Sequence, residues 1–332
     1  MELFDNHKTL YSTALGLFLV LTLGVAILPA ISNEKNNAPL PEAPVLSEDA
    51  VKGKALFVAN GCVACHTQQV RNVEMDKIWG DRPGIAADYA DNHRTDLLHN
   101  TATLMGTERT GPDLTNVGNR QPSRDWHLVH LFNPRTVVEQ SIMPAYTWLF
   151  EIKDSVQEGD VVVNVPEAFL ASTHQKVVAS REALQLVAYL QSLKQVKLPG
   201  EKSPLFLYKR EQPAAAGDGA SPVLNGAELY ANNCQSCHQP NGEGLKGAFP
   251  PLKGSKIVLN DDPELMVDII MNGYTGRMQE GFGEMPAVGT LNKLTPGEVA
   301  AIMNHERSSW GNNSRKVTEE QVKVIMEKVK KQ

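Results

Sequence analysis

The sequence predicts a mainly α-helical protein: an N-terminal transmembrane helix followed by two small helical domains of one plan. The first domain is enlarged by insertions that include a β-hairpin. Three observations predict this. Residues 10–30, "LYSTALGLFLVLTLGVAILPA", carry no charge, and such a run matches the ~20 residues that span a bilayer's hydrocarbon core. Two segments, "GKALFVANGCVACH" (53–66) and "GAELYANNCQSCH" (226–238), align with one extra residue in the first. Each is followed well downstream by a helix-forming stretch, "REALQLVAYLQSLKQ" (181–195) or "TPGEVAAIMNHERSSWG" (295–311).

The elements follow in chain order. The N-terminal segment, 1–32, holds the anchor at 10–30. Its leading residues, "MELFDNHK", are hardly basic, the apolar stretch is long for a signal core, and no clear small-residue cleavage site follows, so an uncleaved anchor is expected. Residues 33–48 form a polar, proline-containing spacer. The first domain is assigned to 49–197. It opens with a short helix whose apolar face carries Leu56 and Phe57, and closes with one bearing Leu184, Val187, Leu190 and Leu193. Between them, "SVQEGDVVVNV" within 151–169 alternates around Glu158, Gly159 and Asp160 and reads as a hairpin. A linker, 198–223, is Ala/Gly/Pro-rich in its second half and contains the apolar "LFLY" (205–208) as a docking candidate. The second domain, 224–311, opens on Leu229 and Tyr230. Its last helix starts with Thr295 as N-cap and Pro296 at the first helical position. The tail, 312–332, reads as a helix with Val322, Ile325 and Val329 on one face, expected to pack on its own domain rather than on a partner.

The chain has four cysteines, and the two C-x-x-C-H triplets use all of them: Cys62, Cys65 and His66, then Cys234, Cys237 and His238. A C-x-x-C pair serves as a dithiol redox site, as half of a zinc site, or as an attachment point for haem c. A dithiol site has no need of the following histidine. The two pairs lie too far apart for the usual spacing of a four-thiolate zinc site. Covalent haem accounts for the whole triplet: two thiols form thioethers and the histidine ligates the iron, giving two haems c. A methionine thioether suits the opposite axial position, because a soft ligand favours reduced iron. Of ten methionines, Met143 in "SIMPAYTWL" and Met285 in "GFGEMPAVG" precede a proline that stiffens the presenting loop. Met105 in the first domain and Met278 in the second are the competing candidates.

The order of helix, C-x-x-C-H, Pro-containing loop, Met-Pro and final helix resembles a class I cytochrome c domain, and the chain shows it twice. That resemblance implies that the carbonyls of Pro112 ("TGPDL") and Pro251 ("FPPL") accept the ring N–H of His66 and His238.

The first domain is more specific. "GCVACHTQQVR", "RTGPDLTNVGNR", "DWHLVHLFNPRTVV" and "SIMPAYTWL" resemble, in that order, the membrane-anchored monohaem subunit (CcoO type) of cbb3-type cytochrome c oxidases, the C family of haem–copper oxidases. The resemblance covers about 10–150. It implies a non-catalytic electron-transfer subunit, with Cys62 and Cys65 as attachment points and His66 and Met143 as axial ligands. Its partners are then a multi-span catalytic haem–copper subunit and a cytochrome c-type or other redox donor. The segment 72–105 departs from the family pattern, the hairpin is extra, and the second haem domain resembles those of the oxidase's dihaem subunit. The chain therefore looks like a fusion of an oxidase subunit with its own electron-input module. A related nitric oxide reductase, a free-standing membrane-anchored dihaem carrier and a dihaem peroxidase remain as alternatives, the last disfavoured by two Met-Pro loops.

Arg71 and Arg135 lie in family-like motifs and are candidates for haem propionates through a guanidinium fork; Arg109 suits a surface role equally. His127 and His130 share a helix face beside Trp126, where structural contacts are expected rather than a metal. His93, His99, His174 and His305 have no motif around them and read as surface or ordinary structural histidines. Haem c attachment is extracytoplasmic in bacteria, so a single-pass protein of the bacterial inner membrane with periplasmic haem domains is expected. Lys8 and Lys35 flank the anchor and give no orientation of their own. The net charge of −6 argues against a nucleic-acid partner.

Overall fold

The structure, a computed structural model, describes residues 5–36, 43, 45–89, 106, 108–170, 172, 174–198, 206 and 224–329. Met105, His93, His99 and most of the two linkers lie outside the described residues. The protein is mainly helical with one three-stranded sheet. It divides into two units, one with the N-terminal helix and the other with both C-x-x-C-H segments.

The N-terminal helix comprises α1 (His7–Leu21), a π turn (Thr22–Ile27) and α2 (Leu28–Asn36). Asn6 caps it through its side-chain oxygen, which accepts from the amides of Lys8 and Thr9. The wide π turn comes immediately before Pro29, whose missing N–H breaks the regular hydrogen-bond ladder. The span His7–Ser32 is long and apolar enough to cross a membrane, and none of it is covered by protein. It is compatible with a transmembrane anchor.

In the other unit, α3 (Glu48–Ala59) starts at Ser47, whose Oγ accepts from the Ala50 amide, with Glu48 and Asp49 favourably placed in the first turn. Gly61 then takes a left-handed φ of 71° and turns the chain into the Cys62–Ala64 turn. Next come α4 (Val117–Arg120) and α5 (Arg124–Phe132), the latter capped by Ser123 onto the Trp126 amide. α5 buries His127, Leu128, Val129, Leu131 and Phe132. Three strands follow, β1 (Phe150–Lys153), β2 (Val162–Val163) and β3 (Lys176–Ala179), in the order β1-β3-β2. β3 pairs antiparallel with both neighbours, Phe150 opposite Ala179 and Val162 opposite Val178. The hairpin expected about Gly159 is not what forms: β1 and β2, on either side of that turn, do not pair with each other, and each pairs instead with β3, which lies beyond 151–169. The last helix here is α6 (Arg181–Ser192), which lies across α3. At the crossing a Cβ on Gly53 would fall 1.9 Å from the Gln185 carbonyl oxygen, so only glycine lets the backbones meet. Phe57 meets Tyr189 edge-on beside it, with ring centroids 5.5 Å apart.

The C-terminal region repeats this plan. α7 (Gly226–Asn233), capped by Asn225, leads to α8 (Gln235–His238), α9 (Glu264–Asn272), α10 (Val288–Leu291) and α11 (Pro296–Ser308). Thr295 and Glu298 form a reciprocal capping box at the start of α11. A Cβ on Gly226 would lie 2.2 Å from the Ala301 carbonyl oxygen, the same crossing as at Gly53. The tail helix α12 (Glu319–Val329) buries Val322, Met326 and Val329 in the core formed with α9 and α11. Buried Arg307 ties the approach to it, donating to the carbonyls of Arg315, Val258 and Asn260. Of "LFLY", Phe206 alone is described, with the Lys77 ammonium 5.9 Å from its ring centroid.

The two halves share a core. Ala248 and Phe249 belong to the same buried cluster as Leu128, Val129, Leu131 and Phe132 of α5.

Candidate functional site

Two clefts carry the C-x-x-C-H segments. The first has a volume of about 1210 Å³ and is lined by Cys62, Cys65, His66, Pro112, Met143 and Tyr146, among others. The turn after α3 presents the triplet, with the His66 amide bonded to the Cys62 carbonyl at 3.0 Å. Nδ1 of His66 lies 2.8 Å from the Pro112 carbonyl oxygen. A carbonyl only accepts, so this nitrogen carries the proton and Nε2 keeps its lone pair. Burial lowers the His66 pKa and so favours the same neutral ring. Gly111 makes the approach possible: a Cβ there would sit 2.3 Å from Cε1 of the imidazole. Met143 packs against the core and lines the same cleft, beside Pro144 and Tyr146.

The second cleft is a narrow slot of about 110 Å³ lined by Cys234, Cys237, His238, Tyr274, Met285 and Glu306, among others. Here Nδ1 of His238 lies 2.9 Å from the carbonyl of Pro250, not from that of Pro251 as expected. Local backbone pairing sets this register. Leu245 and Phe249 exchange amide–carbonyl bonds and the Gly244 amide reaches the His238 carbonyl, a tight loop that turns Pro250 toward the ring. Met285 exchanges two backbone bonds with Tyr274, at 2.9 and 3.0 Å, which fixes its side chain in the cleft wall. Met278 lies in a short turn, 52% exposed, and does not line the cleft. Burial pushes the Cys237 thiol up to about 12 and the Cys234 thiol well above its usual value, so both are neutral.

Both clefts suit a covalently attached haem on the chemistry of their donors. Each has paired thiols, an imidazole oriented by its Nδ1 bond with Nε2 available, and a thioether in the wall. Among the described residues, no group of three or more His, Cys, Asp or Glu side chains is arranged to hold a bare metal ion.

The arginines fall differently from expectation. Arg71 is committed to Asp76, with Nε 3.1 Å and Nη2 3.0 Å from its two oxygens, and Arg109 bonds the same carboxylate at 2.6 Å. Arg135 is exposed and reaches its neighbour Asn133. None of the three lines a cleft. Arg120 lines both. It donates to the Asp113 carbonyl at 2.7 Å and sits 5.0 Å from the Trp79 ring centroid, while its buried Nε has no hydrogen-bond partner among the described residues. Burial lowers its pKa to about 10, so it stays a cation at neutral pH. A buried cation with an unsatisfied N–H is a fit for a carboxylate ligand such as a haem propionate. Its position at the end of "GPDLTNVGNR" was the available signal. His127 bonds the Gln121 carbonyl at 2.8 Å, and His130 stacks on Trp126 at 4.5 Å, its Nδ1 having no hydrogen-bond partner among the described residues.

Comparison with known proteins agrees with this chemistry. The chain is 33% identical over 122 residues to cytochrome c-552 of Thermus thermophilus, covering 34% of this chain and 81% of that one. It is 34% identical over 90 residues to the cytochrome c subunit of the quinone alcohol dehydrogenase of Gluconobacter oxydans. That alignment covers 27% of this chain and 19% of the Gluconobacter subunit. The fructose dehydrogenase cytochrome subunit of Gluconobacter japonicus is 31% identical over 107 residues, 31% of this chain and 22% of its own. The chain therefore spans about a fifth of the dehydrogenase subunits it matches. Residues 221–305 match the family "Cytochrome C oxidase, cbb3-type, subunit III". Residues 3–169, half of the chain, match "Cytochrome C oxidase, mono-heme subunit/FixO", and with that segment holding the anchor helix and the first cleft, this cytochrome c electron-transfer protein belongs to the FixO family.

Proposed function

We propose that the chain is a dihaem electron-transfer subunit of a cbb3-type respiratory oxidase. In this reading it takes electrons from a cytochrome c-type or other donor at the second haem domain (224–311) and passes them through the first (49–197) to a multi-span catalytic haem–copper subunit. The observation that carries the reading is the repeated site: each histidine of a C-x-x-C-H has its Nδ1 tied to a proline carbonyl, at 2.8 and 2.9 Å, with a Met-Pro methionine in the wall of the same cleft. Cys62 and Cys65 would hold the first haem, with His66 and Met143 as iron ligands; Cys234 and Cys237 would hold the second, with His238 and Met285. The haem supplies a one-electron couple, raised in potential by thioether ligation. The chain's own residues do the rest. The proline carbonyls orient the imidazoles and raise their basicity. Arg120, not Arg71 or Arg135, offers a buried cation for a propionate.

The apolar N-terminal helix supports a single-pass subunit of the bacterial inner membrane. In this reading the haem domains lie on the periplasmic side, where haem c is attached. The FixO match over the anchor and first domain supports the oxidase assignment over a free-standing carrier.

Mass spectrometry of the purified chain should show two haem additions, with haem stain retained on a denaturing gel and low-spin Met/His spectra on reduction. Isolation from the membrane should bring down a multi-span subunit with haem and copper that reduces oxygen. One haem addition, or zinc in place of iron, overturns the dihaem reading; a partner that reduces nitric oxide and not oxygen overturns the oxidase reading.

A further inference from the structure

The second cytochrome domain is seated on the first by the face that carries its cysteines. The indole Nε1 of Trp126, on α5, donates to the Ser236 carbonyl at 2.9 Å. Ser236 stands between Cys234 and Cys237, the two residues that would bind the second haem. Neighbouring contacts fix the same face: Asn164 Nδ2 donates to the Gly281 carbonyl at 2.7 Å, and a Cβ on Gly283 would fall 2.7 Å from Oδ2 of Asp125. Phe249, beside the histidine-orienting loop, lies in the core cluster of α5. Each cleft is completed by the other half. Arg120 and Gln121 line the slot of Cys237 and His238, while Asn233 and Ser236 line the cleft of Cys65 and His66.

Trp126 is therefore in both places at once. It lines the first cleft, stacked on His130 with ring centroids 4.5 Å apart and planes 10° apart, and its other edge holds the backbone of the second haem's attachment loop. If the tryptophan served only as filler, its N–H could be satisfied by any acceptor and its neighbours could be any apolar group. Here the acceptor is adjacent to Cys237 and two residues from Cys234, and the stacked partner is also part of the first cleft's wall. Electron tunnelling decays steeply across gaps and least along bonded and closely packed atoms. The sequence Cys237, Ser236 carbonyl, Trp126 indole, first cleft is joined by covalent bonds and one hydrogen bond.

We infer that Trp126 is the relay between the two haem clefts, and that the docked face of the second domain is its electron exit. The inference rests on the dihaem reading above. One electron leaves the reduced haem at Cys234 and Cys237 and reduces the oxidised haem at Cys62 and Cys65. No bond forms or breaks and no proton is required. A donor must then use a face of the second domain other than the one that carries Ser236.

The test uses the full chain with both haems present by mass. A photo-excited ruthenium complex reduces the protein in a flash, and redistribution of the electron between the haems is followed optically. Trp126→Leu should slow that redistribution about tenfold or more beyond what any change in driving force accounts for, the midpoint potentials of both haems being titrated in each variant. Trp126→Phe keeps the ring stack but loses the bond to Ser236, and should give a smaller slowing; it also serves if the leucine variant does not fold. Independently of any rate, the Trp126 indole N–H resonance should change with the oxidation state of the second haem, because it sits on that haem's attachment loop. An unaltered rate in the phenylalanine and leucine variants, or an indole resonance blind to the second haem, overturns the relay and leaves the dihaem reading standing. A single haem by mass overturns both.

Discussion

At the scale of the residue, Met285 and Met278 share one glycine-rich loop, and of the two it is Met285 that lines the second cleft. Met285 is pinned by its backbone exchange with Tyr274 and lines the cleft; Met278 is 52% exposed. Exchanging a thioether for an imidazole stabilises ferric iron. Met285→His should therefore lower the potential of the second haem by on the order of 100 mV, and Met278→His should leave it in place, as read by redox titration. Glu306 supplies a second prediction. It is buried beside Cys234, and burial raises its pKa to about 8. Between the ordinary value of 4.5 and about 8 the folded protein holds a proton that the unfolded chain has released. Its contribution to stability is thus intact below pH 4.5 and declines as pH rises to about 8, by on the order of a few kcal/mol. Glu306→Gln should flatten that decline, measured by denaturant unfolding at pH 6 and pH 9. Nothing in the sequence marks Glu306, because a glutamate in an "ERSS" run reads as a helix surface. The place of Met285 in the cleft wall was legible, since a proline beside a methionine among glycines has a mechanical meaning. Pro250 was not, because the one-residue register in "FPPL" depends on how Leu245 and Phe249 pair.

Among the elements, the crossing of first and last helices recurs in both halves and turns on one glycine each time. A Cβ at Gly53 would meet the Gln185 carbonyl at 1.9 Å, and one at Gly226 would meet the Ala301 carbonyl at 2.2 Å. Backbone atoms cannot rotate away as a side chain can, so the helices must separate. Gly53→Ala and Gly226→Ala should each destabilise the protein by about 1–3 kcal/mol, despite alanine's better helix propensity, and denaturant unfolding at one pH suffices to measure it. The repeated helices were readable from apolar spacing and caps. Which glycine makes the contact was not, since intimacy between helices is a tertiary property. The sheet shows the same division. The alternation around Gly159 indicated strands, but the short run 176–179 that joins both neighbours has no periodic signature and is a strand because of what it pairs with.

Over the whole molecule, composition and packing speak differently about the second haem domain. An Ala/Gly/Pro-rich linker suggests a module on a flexible tether, delivering electrons by repeated encounters. The packing instead joins the halves in one buried cluster, with the Trp126–Ser236 bond and the Asn164–Gly281 bond across the seam. Composition describes only the connecting chain; the contact depends on Phe249 and Trp126, which in sequence are ordinary aromatic residues far apart. The two arrangements differ in their dependence on linker length. For a tethered module the effective concentration at its target falls roughly as the −3/2 power of that length, so doubling the linker lowers it about threefold. For a seated domain the linker only closes a loop, and doubling it costs about 0.6 kcal/mol of closure entropy without altering the docked geometry. Inserting a Gly/Ser segment as long as the linker itself between residues 207 and 223 should therefore leave haem-to-haem redistribution unchanged after flash reduction. A threefold slowing would restore the tether, and with it the picture of a second haem that works by encounter rather than by standing contact.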